Sequence, residues 1–188
     1  MAKSTAPKAA ALKTFPHFEG CLDHALGMVG QGTALEFGVA GGLSLRRIVA
    51  AMPPGSRVVG FDSFEGLPEH WRDGFGVGAF RSVPPVVPGA ELVVGLYDQT
   101  LPEWSVPDDV TLVHVDCDLY SSTRTVLAHI GPHLKPGCLI VFDEYHGYPG
   151  SEDHEEKAWR EWADGSGVRW SELAAGPEQL LVRIEEGT

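Results

Sequence analysis

Acidic side chains recur wherever an apolar run stops in this 188-residue chain. Glu36 lies in EFGVAGG (36–42), Asp62 in DSFEG (62–66), Asp98 in GLYDQTLP (95–102), Asp116 and Asp118 in DCDLYSS (116–122), and Asp143 with Glu144 in DEYHGYPG (143–150). Carboxylates gathered in one cleft repel one another, and protonation or a cation must relieve them. Oxygen-only ligands favour Mg²⁺ or Ca²⁺, and Mg²⁺ keeps positions open for water and substrate. Capping of helices and turns accounts for one acid per loop, whereas two per loop favour a cation. The glycines offer a second chemistry. Gly38, Gly41 and Gly42 let the backbone turn sharply and let a ligand approach without side-chain obstruction. Asp62 follows Gly38 by 24 residues, where an acid closing a second strand can accept hydrogen bonds from both hydroxyls of a ribose. The spacing departs from GxGxxG, which weighs against a nicotinamide dinucleotide.

These groups need a scaffold that brings strand ends side by side. Apolar residues at Phe18, Cys21, Leu22, Ala25, Leu26 and Val29 recur at helical spacing between Pro16 and Gly30. TALEFGV (33–39), LSLRRIVAAM and SRVVGFD (56–62) read as strand, helix and strand, a βαβ unit. The Gly- and Pro-rich stretch 66–90 reads as a long loop, a lid over the acceptor together with Tyr145–Gly150. Strands follow at 91–97, 110–116 and 138–143, with a helix after 116 capped by Ser121 or Ser122 and a second helix in SEDHEEKAWREWA. VRWSEL and QLLVRIE close the chain as an antiparallel pair. The expected fold is α/β: a Rossmann-like, doubly wound, mostly parallel seven-stranded sheet with an antiparallel C-terminal strand pair. Residues 1–15 are expected to be a flexible tail and 16–188 a single domain. Ligands of such sheets bind outside the carboxyl ends of the strands.

Composition narrows the partners. The chain has 43% hydrophobic residues and a net charge of −12, with 9 Lys/Arg against 23 Asp/Glu after residue 50. Nucleic-acid binding needs a basic face, and none is encoded. No window approaches the ~18 apolar residues of a membrane span. The start, MAKSTAPKAAALKTF, lacks a continuous apolar core, so no signal peptide is expected. Cys21, Cys117 and Cys138 form no CxxC pair and read as buried thiols in a reducing cytoplasm. The expected partner is a small molecule, with a homodimer as a further expectation.

Glu36 two residues before the first glycine resembles the E/DxGxGxG motif of class I S-adenosylmethionine-dependent methyltransferases, with Ala40 in place of the middle glycine. Taken in order, DSFEGLP (62–68), GLYDQTLP, HVDCDLYSST (114–123) and VFDEYHGYPG (141–150) resemble the macrocin O-methyltransferase-like group of that superfamily, from about Leu35 to Trp162. The resemblance implies S-adenosylmethionine as cofactor, held by Glu36, Gly38, Gly41, Gly42, Asp62, Ser63, Phe64 and Tyr97. It also implies a divalent metal, Mg²⁺, on Asp116, Asp143 and Glu144, the last replacing the second aspartate of the family's pair. The short segment before the first strand leaves the acceptor unspecified.

Asp118, just before a helix start, is the candidate proton acceptor, and the same position suits an ordinary cap. His146 and His154 flank the same mouth as alternative bases, while His114 reads as a core residue. Trp159 and Trp162 are spaced for a buried helix face. The function expected is Mg²⁺-assisted O-methylation of a small hydroxylated molecule. A metal-independent N-methyltransferase and a non-catalytic S-adenosylmethionine-binding module are the alternatives.

Overall fold

The computed structural model describes residues 12–187; residues 1–11 of the expected tail lie outside the described residues. In chain order the elements are β1 (Lys13–Thr14), α1 (Gly20–Leu26), β2 (Thr33–Phe37), α2 (Leu43–Ala51), β3 (Arg57–Asp62), β4 (Glu91–Val94), α3 (Tyr97–Thr100), β5 (Val110–Val115), α4 (Tyr120–Ile130), β6 (Leu139–Phe142), α5 (Glu155–Ser166), β7 (Trp170–Ala175) and β8 (Leu180–Ile184). One sheet runs in the order β1-β7-β8-β6-β5-β2-β3-β4. β4, β3, β2, β5 and β6 are mutually parallel, and β8 runs antiparallel to both β6 and β7.

Among the described residues the sheet therefore has eight strands, where the sequence pattern predicts seven. The addition is β1, at the end of the expected flexible tail, which pairs parallel with β7 and is continued by Phe15 N–H donating to Ala175 O. Two residues are too few to carry a period-two signal. Other boundaries moved as well. Helix α1 covers only the middle of its expected span, and Tyr97 opens α3 instead of ending a strand. Helix α4 starts at Tyr120 behind an extended Leu119 and has no side-chain cap, so Ser121 and Ser122 sit inside its first turn.

Strand alternation divides the core between the two faces of the sheet. Leu35, Phe37, Val113, Val115, Ile140 and Phe142 pack with Val126, Leu127 and Ile130 of α4 and Trp159 of α5. Ala34, Leu112, Leu139 and Val141 face the other way, onto Cys21 and Leu22 of α1 and Leu45 and Ile48 of α2. All three cysteines are buried and unpaired.

Register fixes what stands at the carboxyl edge. Phe37 is level with Phe61 and Val115, and Val115 is level with Phe142. The next residues, Gly38, Asp62, Asp116 and Asp143, therefore form one row on strands ~4.8 Å apart. Gly38 has φ +96°, and a Cβ placed there would lie 1.6 Å from the Asp116 carbonyl oxygen. Nothing larger than glycine fits between these two strand ends. Gly38→Ala is expected to destabilise the protein by about 3 kcal/mol or more, through overlap with a neighbouring backbone. Chemical denaturation checks this, and an unchanged midpoint would contradict it.

Candidate active site

A cavity of about 430 Å³ opens at this edge, lined among others by Gly38, Ala40, Asp62, Ser63, Leu67, Phe80, Tyr97, Asp116, Asp118 and Glu144. Asp62 organises its first wall. Its Oδ2 accepts from the amides of Val39 (2.9 Å) and Ala40 (2.8 Å), and its Oδ1 accepts from Phe64 N–H (2.7 Å). A carboxylate has about four lone-pair sites, so acceptor capacity remains toward the cavity. Among the described residues, four non-glycine residues adopt positive φ: Ala40 (42°), Phe64 (58°), Phe80 (65°) and Asp118 (61°). Three of them line the cavity and the fourth hangs from Asp62. Such conformations cost of order 1–3 kcal/mol each and persist only where the surroundings impose them. Ala40 keeps, at a cost in strain, the left-handed form that glycine adopts freely at the motif's middle position.

The second wall is acidic. Carboxylate oxygens of Asp116, Asp118 and Glu144 lie within 4.8 Å of one another. Burial, reinforced by Asp143, raises the Asp116 carboxyl well above the usual range. Burial together with Asp116 and Glu155 does the same for Glu144. Asp118 is pushed up to about 7, mainly by burial, with Arg72 opposing the shift. Glu144 Oε2 is buried without a hydrogen-bond partner. Three hard oxygen ligands with one orphaned acceptor fit a divalent cation such as Mg²⁺.

The expected metal set was Asp116, Asp143 and Glu144, and the structure assembles a different three. Asp118 stands beside Asp116 and Glu144, while Asp143 faces His114 across 3.8 Å. Burial opposes the ionisation of Asp143, yet its partnership with His114 holds it below the ordinary carboxylate range. His114 Nδ1 in turn lies 2.9 Å from Glu36 Oε1. Glu36 is fully buried and lines no part of the main cavity. Glu36 and His114 are level in the β2–β5 register and share a face, so Glu36 belongs to a buried Glu36–His114–Asp143 chain beneath the glycine loop. Gly41 lines a second cavity with Arg47, His114 and Asp143, which meets the first at Ala40 and Asp116. Gly42 starts α2 in the left-handed form, and Phe64 packs into the core. His146 and His154 do not line either cavity.

One contributor escaped the sequence reading. Glu155, fully buried at the start of α5, accepts the Glu144 amide at 3.2 Å. Within the stretch 66–90, read as a long lid-forming loop, residues 66–80 form a compact flap whose Leu67, Pro68 and Phe80 line the cavity. An apolar cluster of Leu67, Trp71, Leu119 and Tyr148 anchors it. The WRDGF run (71–75), with turn residues between two aromatics, was the available signal for its compactness.

A family model described as a methyltransferase domain matches residues 35–145, more than half of the chain. The chain belongs to this methyltransferase family. The methyltransferase is 30% identical to the 8-demethyl-8-(2,3-dimethoxy-α-L-rhamnosyl)-tetracenomycin-C 4′-O-methyltransferase of Streptomyces olivaceus, over 94% of this chain and 80% of the relative. It is 24% identical to the demethyldecarbamoylnovobiocin O-methyltransferase of Streptomyces niveus, over 76% of this chain and 63% of that protein. Among solved structures, a calicheamicin methyltransferase superposes with a TM-score of 0.66 at 26% identity, covering 88% of this chain and 76% of that one. The methyltransferase is accordingly a class I S-adenosylmethionine-dependent enzyme, as the resemblance to the macrocin group implied.

The residues present fit that cofactor. The backbone of Gly38 and Ala40 lines the cavity beside the Asp62 carboxylate, and the volume suits a small-molecule site. Among the described residues no helix is long and apolar enough to cross a membrane. Asp62→Ala removes the acceptor of three amides that shape the methyltransferase loop. Affinity for S-adenosylhomocysteine is expected to fall by about 1.5–3 kcal/mol, the value of hydrogen bonds to a charged group. Calorimetry measures it, and unchanged affinity would show that the loop holds its shape without Asp62.

Proposed function

We propose that this methyltransferase transfers a methyl group to a hydroxyl of a glycosylated or sugar-like small molecule, with Mg²⁺ assisting. The observation that carries the proposal is the packing of Asp116, Asp118 and Glu144 on the wall of the cofactor cavity. The relative from Streptomyces olivaceus, a 4′-O-methyltransferase of a rhamnosyl compound, supports a sugar hydroxyl as acceptor. The calicheamicin enzyme, a TDP-rhamnose 3′-O-methyltransferase, supports it as well. An amine acceptor would need no cation, and that reading leaves the cluster of three acids unexplained.

When bound, S-adenosylmethionine supplies an electrophilic methyl group and Mg²⁺ supplies positive charge that makes a neighbouring hydroxyl more acidic. This chain's residues do the rest. Asp62 and the Gly38–Gly42 loop seat the nucleoside, with Asp62 turned to the ribose hydroxyls, while Ser63 and Tyr97 form adjoining wall. Asp116 and Glu144, common to the expected and the observed acid sets, hold the cation; one or two carboxylates plus water and substrate suffice for Mg²⁺. Asp118, third in the cluster, takes the hydroxyl proton on a carboxylate oxygen. Asp143 stays with His114. Flap and strand ends together exclude water from the reacting groups.

The test offers S-adenosylmethionine and a panel of sugar nucleotides and glycosylated aromatics to the enzyme, with chelator and with Mg²⁺ restored, and follows products one methyl group heavier. Turnover is expected only with Mg²⁺. Asp116→Asn and Glu144→Gln should abolish the Mg²⁺-dependent turnover while leaving S-adenosylhomocysteine affinity nearly intact. Asp118→Asn should retain Mg²⁺ binding and slow turnover by roughly 10² to 10⁴, the usual worth of a positioned base. Turnover that survives chelation, or methylation of amines alone, would overturn the proposal. No methylation of any acceptor despite donor binding would favour a non-catalytic module.

A further inference from the structure

Arg72 lies at the centre of a contact set that methyl transfer does not itself require. Its guanidinium carbon sits 4.0 Å from the Trp71 ring centre, 4.4 Å from Tyr148 and 5.4 Å from Phe75. Its Nη1 pairs with Glu178 Oε2 at 3.0 Å, and the two side chains are 27% and 16% exposed. This is the flap's one ion pair among the described residues. A planar guanidinium held between rings and paired with a mostly buried carboxylate is fixed in orientation, which a lysine ammonium is not.

What Glu178 does next gives the contact its meaning. Its backbone carbonyl accepts from the amides of Tyr145 (2.8 Å) and His146 (3.1 Å), and Gln179 Nε2 donates to Asp143 O at 3.0 Å. The β7–β8 turn therefore grips the segment that carries Asp143 and Glu144. Tyr148, stacked on Arg72, closes the circuit by donating its hydroxyl to Glu144 O at 3.2 Å. The flap's own core reaches Leu119, the residue after Asp118. Arg72 thus joins the flap over the cofactor cavity to both sides of the acid-bearing turn, without lining the cavity.

We propose that Arg72 is a positioning residue that couples closure of the 66–80 flap over the methyl donor to the ordering of the 143–148 acid turn through Glu178. The flap touches the donor cavity through Gly66, Leu67, Pro68 and Phe80, so a ligand there favours the flap's packed arrangement. The Arg72–Glu178 pair transmits that preference to the turn. Coupling of this kind is a free energy shared between two places and is reciprocal, so an ordered acid turn also favours donor binding.

The proposal rests on donor binding in the first cavity, and its test reads that binding separately. Hydrogen exchange of the full chain is followed with and without S-adenosylhomocysteine. Protection at 38–42 reports donor binding. The Tyr145 and His146 amides, which bond Glu178 O and lie outside the cavity lining, report the coupling. In the wild type the ligand is expected to slow the exchange of these two amides by roughly fivefold or more, the lower end of usual site-to-site coupling. Arg72→Gln should abolish that slowing yet keep the 38–42 response within about twofold of wild type. Glu178→Gln should do the same from the other side, and the double variant should be no worse than either, as two groups in one contact require. Arg72→Lys, which retains the charge but not the stacking, should restore part of the slowing. Persistence of the remote slowing in both Arg72→Gln and Glu178→Gln would overturn the proposal. So would its absence in the wild type when 38–42 responds. A wild type in which 38–42 does not respond refutes donor binding itself, and the proposal with it.

Discussion

The parallel register that brings Phe37, Phe61, Val115 and Phe142 level is the constraint from which the site follows. It leaves Gly38, Asp62, Asp116 and Asp143 in one row and brings Asp118 and Glu144 in behind them. Two carboxylate charges about 5 Å apart repel by roughly 3 kcal/mol at an effective dielectric of ~20. A helix cap returns only about 1 kcal/mol. Acids packed this closely therefore demand more than capping, and the raised carboxyls of Asp116 and Glu144 express the same crowding. Strain at Ala40, Phe80 and Asp118 belongs to the same account, since backbone is bent against its preference where it surrounds the cavity.

Two devices moderate the repulsion without removing it. On the α1 and α2 face, His114 sits between Glu36 and Asp143 and draws Asp143 away from the cluster. Burial works against a charged imidazole, but Asp143 and Glu36 outweigh it and hold the His114 pKa up. On the other side Arg72 faces Asp118 and opposes the effect of burial there. The cluster is thus bounded by a cationic group on either side while its centre stays acidic.

Much of this was legible in the sequence because it depends on local pattern. The strand runs, the glycine loop and an acid after each strand are all short-range features, and the row they form follows from parallel pairing. Which acids meet was not legible. Asp118 rather than Asp143 joins Asp116 and Glu144, because Asp143 faces His114, a contact set by which face of β5 a side chain occupies and where its ring points. Glu36 was placed at the cofactor by motif, whereas period-two alternation put it under the loop. Arg72 and Glu178 are separated by 106 residues, and nothing in either segment points to the other. Strand β1 was missed because two residues carry no periodicity.

Whether a cation relieves the acid cluster is decided most directly by anomalous scattering from crystals grown with Mn²⁺ and S-adenosylhomocysteine. The expected result is one strong peak between Asp116 and Glu144, with carboxylate oxygens about 2.0–2.2 Å away, in the range of hard octahedral cations. A cavity containing the nucleoside but no anomalous peak, or a peak bound only at Asp143 and His114, would contradict it.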